Sequence, residues 1–135
     1  MTLTRKIGLF YFVALLTAAA LNYVPGITDD DGLAFGIFAL AIFDDSLHLV
    51  SALWALGAAL ISHKAARMFM LIFGALYLAD GAMGLAVGSG YLDMGIFTNG
   101  VFDLPFGFKI LANTPHIALG GGALLTGLFV DRHIR

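Results

Sequence analysis

Seven basic residues punctuate this 135-residue chain, and their placement constrains its fold more than any other feature. Arg5 and Lys6 stand near the start, Lys64 and Arg67 at the middle, Arg132 and Arg135 at the end; only Lys109 lies elsewhere. Each interval between clusters holds enough apolar sequence to cross a bilayer out and back. Lys and Arg near the ends of membrane helices are retained on the cytoplasmic side. The pattern therefore predicts an all-α bundle of four transmembrane helices in one domain, 1–135, with both termini cytoplasmic.

The composition agrees. Hydrophobic residues make up 60% of the chain and charged ones 12%, and the mean hydropathy is +0.94. That much apolar surface exceeds what a soluble domain of this length can bury. All nine acidic residues are Asp, and five of them (Asp29, Asp30, Asp31, Asp93 and Asp103) fall in the intervals assigned to the outside. A net charge of −2 offers nothing to a nucleic-acid backbone. With no Cys, disulfides, thiolate metal ligands and a cysteine nucleophile are excluded together. The basic start, apolar run and Ala18-Ala19-Ala20 stretch imitate a secretory signal. The run continues to Val24, long enough to span, so a retained first helix is expected.

The helices are expected over 7–24, 45–62, 66–87 and 113–130. Pro25-Gly26 ends the first. A single helix from Leu33 to Ser62 would measure roughly 45 Å at 1.5 Å per residue, against a hydrocarbon core of roughly 30 Å. A break near Asp44, with Asp44 or Asp45 capping the second helix, resolves this and leaves 33–43 interfacial or re-entrant. One long, tilted, projecting helix is the alternative. The segment 91–111 mixes Phe97, Phe102, Phe106 and Phe108 with Asp93, Asn99, Asp103 and Lys109, which suits the headgroup layer. Asn113-Thr114-Pro115 reads as a cap followed by proline in the first helical position. The two halves share one layout: a spanning helix, an outer segment with Gly-Ile-Phe, then a helix with His in its first turn. Both enter from the inside, so the repeat is parallel.

His48 and His116 are the chief candidates for chemistry. His48 shares a helical face with Ala52, Ala55, Ala59 and Ser62, and His116 with Gly120, Ala123 and Gly127. Small residues allow close helix approach in lipid, so both imidazoles should point into the bundle. They could ligate haem or a divalent metal, with Asp44, Asp45 or Asp80 completing a metal set. The plainer alternative is that each imidazole hydrogen-bonds a cap, a carbonyl or the other half of the repeat. Asp80 lies deep in the third helix, where an ionisable group is costly and marks either a site or a lock. It has Tyr77 and Gly84 on its face. Partners considered for the lock are Tyr11, Thr17, Asn22 and a histidine. Gly74, Gly81 and Gly88, seven apart, with Gly84, Gly120 and Gly127, read as helix-packing positions. No phosphate loop and no nucleophile elbow is present. His63 and His133 fall among the basic clusters and should be interfacial.

Tyr23-Val24-Pro25-Gly26-Ile27-Thr28, the Asp29–Asp31 run, Asp45 before Leu47-His48, and Asn113-Thr114 before His116 and its glycines together resemble a bacterial membrane family, domain of unknown function 4383. The resemblance extends over nearly the whole chain and implies four membrane helices; that family carries no assigned activity. Pro115 before the second His, and Asp80, depart from its pattern. The function expected is a small multi-pass protein of the bacterial cytoplasmic membrane. It would be non-enzymatic, a structural or accessory subunit contacting the lipid bilayer and other membrane subunits or itself. The alternatives are a haem or metal binder using His48 and His116, and a transporter or proton path through Asp80.

Overall fold

The computed structural model describes residues 1–20, 33–34, 38–39, 42–87 and 106–134. Four long helices dominate it: α1 Leu3–Ala20, α2 Ile42–Ile61, α3 His63–Val87 and α4 Phe106–Phe129. A short 3-10 turn, Arg132–Ile134, follows α4. Two two-residue strands, β1 Leu33–Ala34 and β2 Phe38–Ala39, pair antiparallel, with Leu33 opposite Ala39. The architecture is otherwise all-helical.

Helix boundaries follow capping chemistry, and several differ from those the sequence suggested. Thr2 caps α1: its hydroxyl accepts from the Arg5 amide at 3.3 Å and its carbonyl from the Lys6 amide at 3.1 Å. The helix therefore starts at Leu3 rather than Ile7. Ser62 is the single non-helical residue between α2 and α3. Its amide donates to Ala58, closing α2, and its hydroxyl accepts from the Ala65 amide at 3.0 Å, opening α3. Lys64 thus belongs to the first turn of α3 instead of a loop, and Arg67 follows one turn later. The pairing of β1 with β2 rules out one long helix from Leu33. Helix α2 begins at Ile42, so Asp44 and Asp45 stand inside its first turn and neither is the N-cap residue.

The largest correction concerns α4, which starts at Phe106 rather than Asn113 and contains Pro115 in its interior. Asn113 is no cap, and part of the expected interfacial segment, 106–111, is helical. Proline has no N–H to give the Leu111 carbonyl, a defect membrane helices tolerate when neighbouring groups compensate. One residue earlier, the Thr114 hydroxyl donates to the Ile110 carbonyl at 2.5 Å. The rest of 91–111, residues 21–32 with the expected end of the first helix, and Gly88 lie outside the described residues.

Each half of the chain packs as a helical hairpin, α1 on α2 and α3 on α4, and α3 continues the first hairpin into the second. Arg5, at the start of α1, donates to the carbonyls of Ala59 and Leu60 at the end of α2, at 2.7 and 2.9 Å. Arg67, at the start of α3, donates to the Gly127 carbonyl at the end of α4, at 3.0 Å. Both place a cation at the negative end of a helix dipole. The N-terminus, the α2–α3 turn and the C-terminal turn consequently meet at one end of the bundle. Thr2 bonds His63 at 3.0 Å there, and the Asp131 carboxylate accepts from the Thr4 amide and hydroxyl at 2.7 and 2.9 Å.

The interior is built from small residues and rings. Ala52, Ala55 and Ala59 are fully buried on α2. On α3, Phe69, Phe73 and Tyr77 stack in a column, with ring centroids 4.9 and 4.0 Å apart. Tyr11 of α1 packs edge-on against Phe73 and donates to the Leu119 carbonyl of α4 at 2.6 Å. The α3–α4 contact requires glycine: a Cβ on Gly74 would lie 2.5 Å from the Leu124 amide nitrogen, and one on Gly120 would strike the backbone at Tyr77–Leu78. A Cβ on Gly81 would meet Ile117, and one on Gly127 would meet Leu71. The outside carries large apolar side chains instead, Phe10, Val50, Leu53, Ile61, Leu125 and Phe129 among them. Among the described residues, two helices, Leu3–Ala20 and His63–Ala86, are long and apolar enough to cross a membrane, and Ser46–Ile61 is a shorter apolar helix.

Candidate functional site

The end of the bundle opposite the basic clusters holds the polar residues that the sequence singled out. Neither histidine lies in a first turn, because both helices begin earlier than expected. His48 is one turn further into α2, and His116 is deep in α4, immediately after the internal proline. Their helices nevertheless bring them together: the two imidazoles pack edge to face with centroids 6.1 Å apart. His48 is 7% exposed.

Asp80, 2% exposed on α3, accounts for its own burial through His116. Its Oδ2 lies 2.5 Å from His116 Nδ1. A histidine is among the partners the sequence offers for Asp80, and the fold supplies it. A carboxylate and an imidazole sharing one proton are neutral as a pair wherever that proton sits. Burying them costs far less than burying an isolated charge. Asp80 also fixes the imidazole: Nδ1 faces the carboxylate and carries the hydrogen bond, leaving Nε2 as the ring's other edge.

Two further residues complete the cluster. Tyr77, one turn before Asp80, lies 5.1 Å from the His116 ring and 3.3 Å, hydroxyl to hydroxyl, from Ser51. Ser51 is one turn after His48 on the same buried face, a spacing legible in the sequence but overlooked because serine is common in membrane helices. Asn113, expected to be a cap, faces Gly84 instead, and its amide occupies the space a Cβ there would need. The cluster therefore joins α2, α3 and α4 through Ser51–Tyr77, His48–His116 and His116–Asp80.

Asp44 and Asp45 belong to the first turn of α2, but their side chains are outside the described residues. Among the described residues, no group of three or more His or Asp side chains is arranged to hold a metal ion. His63 joins Thr2 at the opposite end, and His133 is exposed, both near the basic residues as expected.

The duplicated layout has a register. Arg5 and Arg67 stand 62 positions apart; Ala59 and Gly127, whose carbonyls they respectively contact, stand 68 apart, as do His48 and His116. The histidines are thus equivalent positions of the two hairpins. Asp80 is not duplicated, since its counterpart at the 62-residue offset is Ala18. The symmetry breaks at Asp80, which pairs with His116 of its own hairpin.

No family model matches the chain, and no curated protein or solved structure matches it.

Proposed function

We propose that this chain is a small integral membrane protein that crosses the bacterial cytoplasmic membrane four times, with both termini inside. In this reading it serves as a non-enzymatic structural or accessory subunit of a larger membrane assembly. Kinship with domain of unknown function 4383 belongs to the same proposal and rests on the motifs quoted above. The observation that carries the reading is the inverted distribution of side chains. Glycine, alanine, hydroxyl groups and the Asp–His pair face inward beside the Phe69–Phe73–Tyr77 column, Leu15 and Met70, while Phe10, Val50, Leu53, Leu125 and Phe129 face out. That is the pattern expected where lipid is the solvent and helices associate through close packing and polar contacts. Within it, the His48–His116–Asp80–Tyr77–Ser51 cluster is the lock holding the outer ends of three helices.

Two measurements test this. Because the chain lacks Cys, single cysteines at Thr2, Asp30 and His133 can be labelled individually. Impermeant reagent added outside should modify only the Asp30 position; labelling at Thr2 or His133 would overturn the topology. Native purification in mild detergent should then yield a stoichiometric complex with larger membrane subunits and no chromophore. A Soret band or stoichiometric metal, lost in His48→Ala and His116→Ala, would overturn the structural role in favour of a binder.

A second reading, proton movement through Asp80, is favoured by one observation: the buried Asp80–His116 pair, with Tyr77 against its imidazole, gathers proton-exchanging groups at membrane depth. Reconstituted protein would then carry a proton flux that Asp80→Asn abolishes, and flux unchanged by that substitution removes this reading.

A further inference from the structure

An apolar groove runs along the outside of the bundle between α2 and α3, lined by Trp54, Gly57 and Ile61 from one helix and Ala65, Met68 and Ile72 from the other. Its volume is about 340 Å³. Gly57 keeps it open, since nothing lies within 4 Å of the place its Cβ would occupy. It extends to the basic end of the bundle: Ile61 closes α2, and Ala65 is in the first turn of α3.

Lys64, exposed, lies between those two lining residues in sequence and one helical turn before Met68. The nearby arginines Arg5 and Arg67 are engaged with helix-end carbonyls, whereas Lys64 has no such acceptor among the described residues. From Ser46 to Ala79 the sequence contains no acidic residue, so neither helix flanking the groove offers a nearby counter-ion. An apolar slot with an uncompensated cation at its mouth matches one kind of molecule: a hydrocarbon chain ending in an anion. The slot is also too small for a partner helix, which is 10 to 12 Å across with its side chains.

We propose that this groove holds an acyl chain of an anionic phospholipid, with the headgroup phosphate against Lys64. The site rests on the membrane reading above and adds the class of lipid that the inner leaflet must supply. Basic positions between membrane helices on the cytoplasmic side are where such headgroups are recognised.

Trp54 is the chain's single tryptophan, so its emission reports the groove directly. The protein is reconstituted in phosphatidylcholine vesicles containing a minor fraction of acyl-brominated phosphatidylglycerol or, separately, acyl-brominated phosphatidylcholine. The expected result is a preference of about fivefold for the anionic quencher, the factor one lysine confers near an anionic surface. That preference falls to near unity in Lys64→Gln, whose exposed side chain leaves the fold intact. It also falls in Gly57→Leu, which fills the groove. Equal quenching by both lipids, or a preference retained in Lys64→Gln, overturns the proposal. Trp54 shielded from both lipids, with the protein still vesicle-bound, shows a protein partner or second copy in the groove and also overturns it. Failure to enter vesicles at all would instead remove the membrane reading on which it rests.

Discussion

Asp80 and Asp131 show how differently two carboxylates are stabilised in one chain. Asp80 is buried and pairs with His116. Asp80→Ala strands that imidazole, whereas Asp80→Asn keeps a side chain able to face Nδ1. Thermal unfolding in detergent should show a loss of about 1–2 kcal/mol for the alanine variant, the upper range for polar contacts between membrane helices, and less for Asn. Equal losses would mean that charge rather than the hydrogen bond matters. Asp131 works at the opposite end, with a positive φ of 53° that Asn and Gly accept more readily than Ala. The Thr4 backbone amide holds its carboxyl below the usual 3.8; desolvation opposes this and is outweighed with the help of the Thr4 hydroxyl, His63 and His133. A lowered folded pKa means that this contact stabilises the fold above pH 3.8 and is lost as pH falls through the folded value. The wild-type melting temperature should therefore drop below about pH 4 by an increment missing in Asp131→Asn. An identical acid limb in both would assign the loss elsewhere. Sequence reasoning found Asp80 because a carboxylate inside an apolar run is conspicuous. Nothing local marked Asp131, whose partner is 127 residues away.

At the scale of the helix, what matters about a glycine is its neighbour rather than its spacing. Gly57 and Gly120 are both helical, yet a Cβ meets open space at one and the backbone of α3 at the other. Gly57→Ala should be neutral or stabilising by up to about 1 kcal/mol through helix propensity. Gly120→Ala should cost about 1–3 kcal/mol because the α3 backbone must move. Paired unfolding measurements check this, and a same-sign result would contradict the packing described here. The Gly74, Gly81, Gly84, Gly120 and Gly127 stripe was legible from its spacing, since close approach of apolar helices demands small residues. The start of α4 was not. Asn113-Thr114-Pro115 has the chemistry of a cap, but seven further residues, Phe106 to Ala112, continue the helix upstream. Local preference yields there to α3, where Gly84 makes room for Asn113.

For the whole molecule, Arg5 and Arg67 each close one hairpin at the basic end, where Asp131 joins the two through Thr4, and the histidine–aspartate cluster joins them at the other end. Arg5 reaches two carbonyls at once through its planar fork, which lysine cannot reproduce. Arg5→Lys should lower the melting temperature more than Lys6→Gln, although both lie at the same helix start; the reverse order would make net charge the stabilising quantity. The sequence by itself determined the class of architecture, the helix count and the pairing of halves. These follow from one-dimensional quantities: the length of apolar runs, the placement of cations and the period of small residues. It also indicated that His48 and His116 lie at one end, because two equivalent positions in a parallel repeat must. Only the tertiary structure decided that Asp80 pairs with His116, where α2 and α4 begin, and which carbonyls the arginines cap. Each of those depends on what a neighbouring helix presents across a few ångströms, and sequence order does not encode that distance.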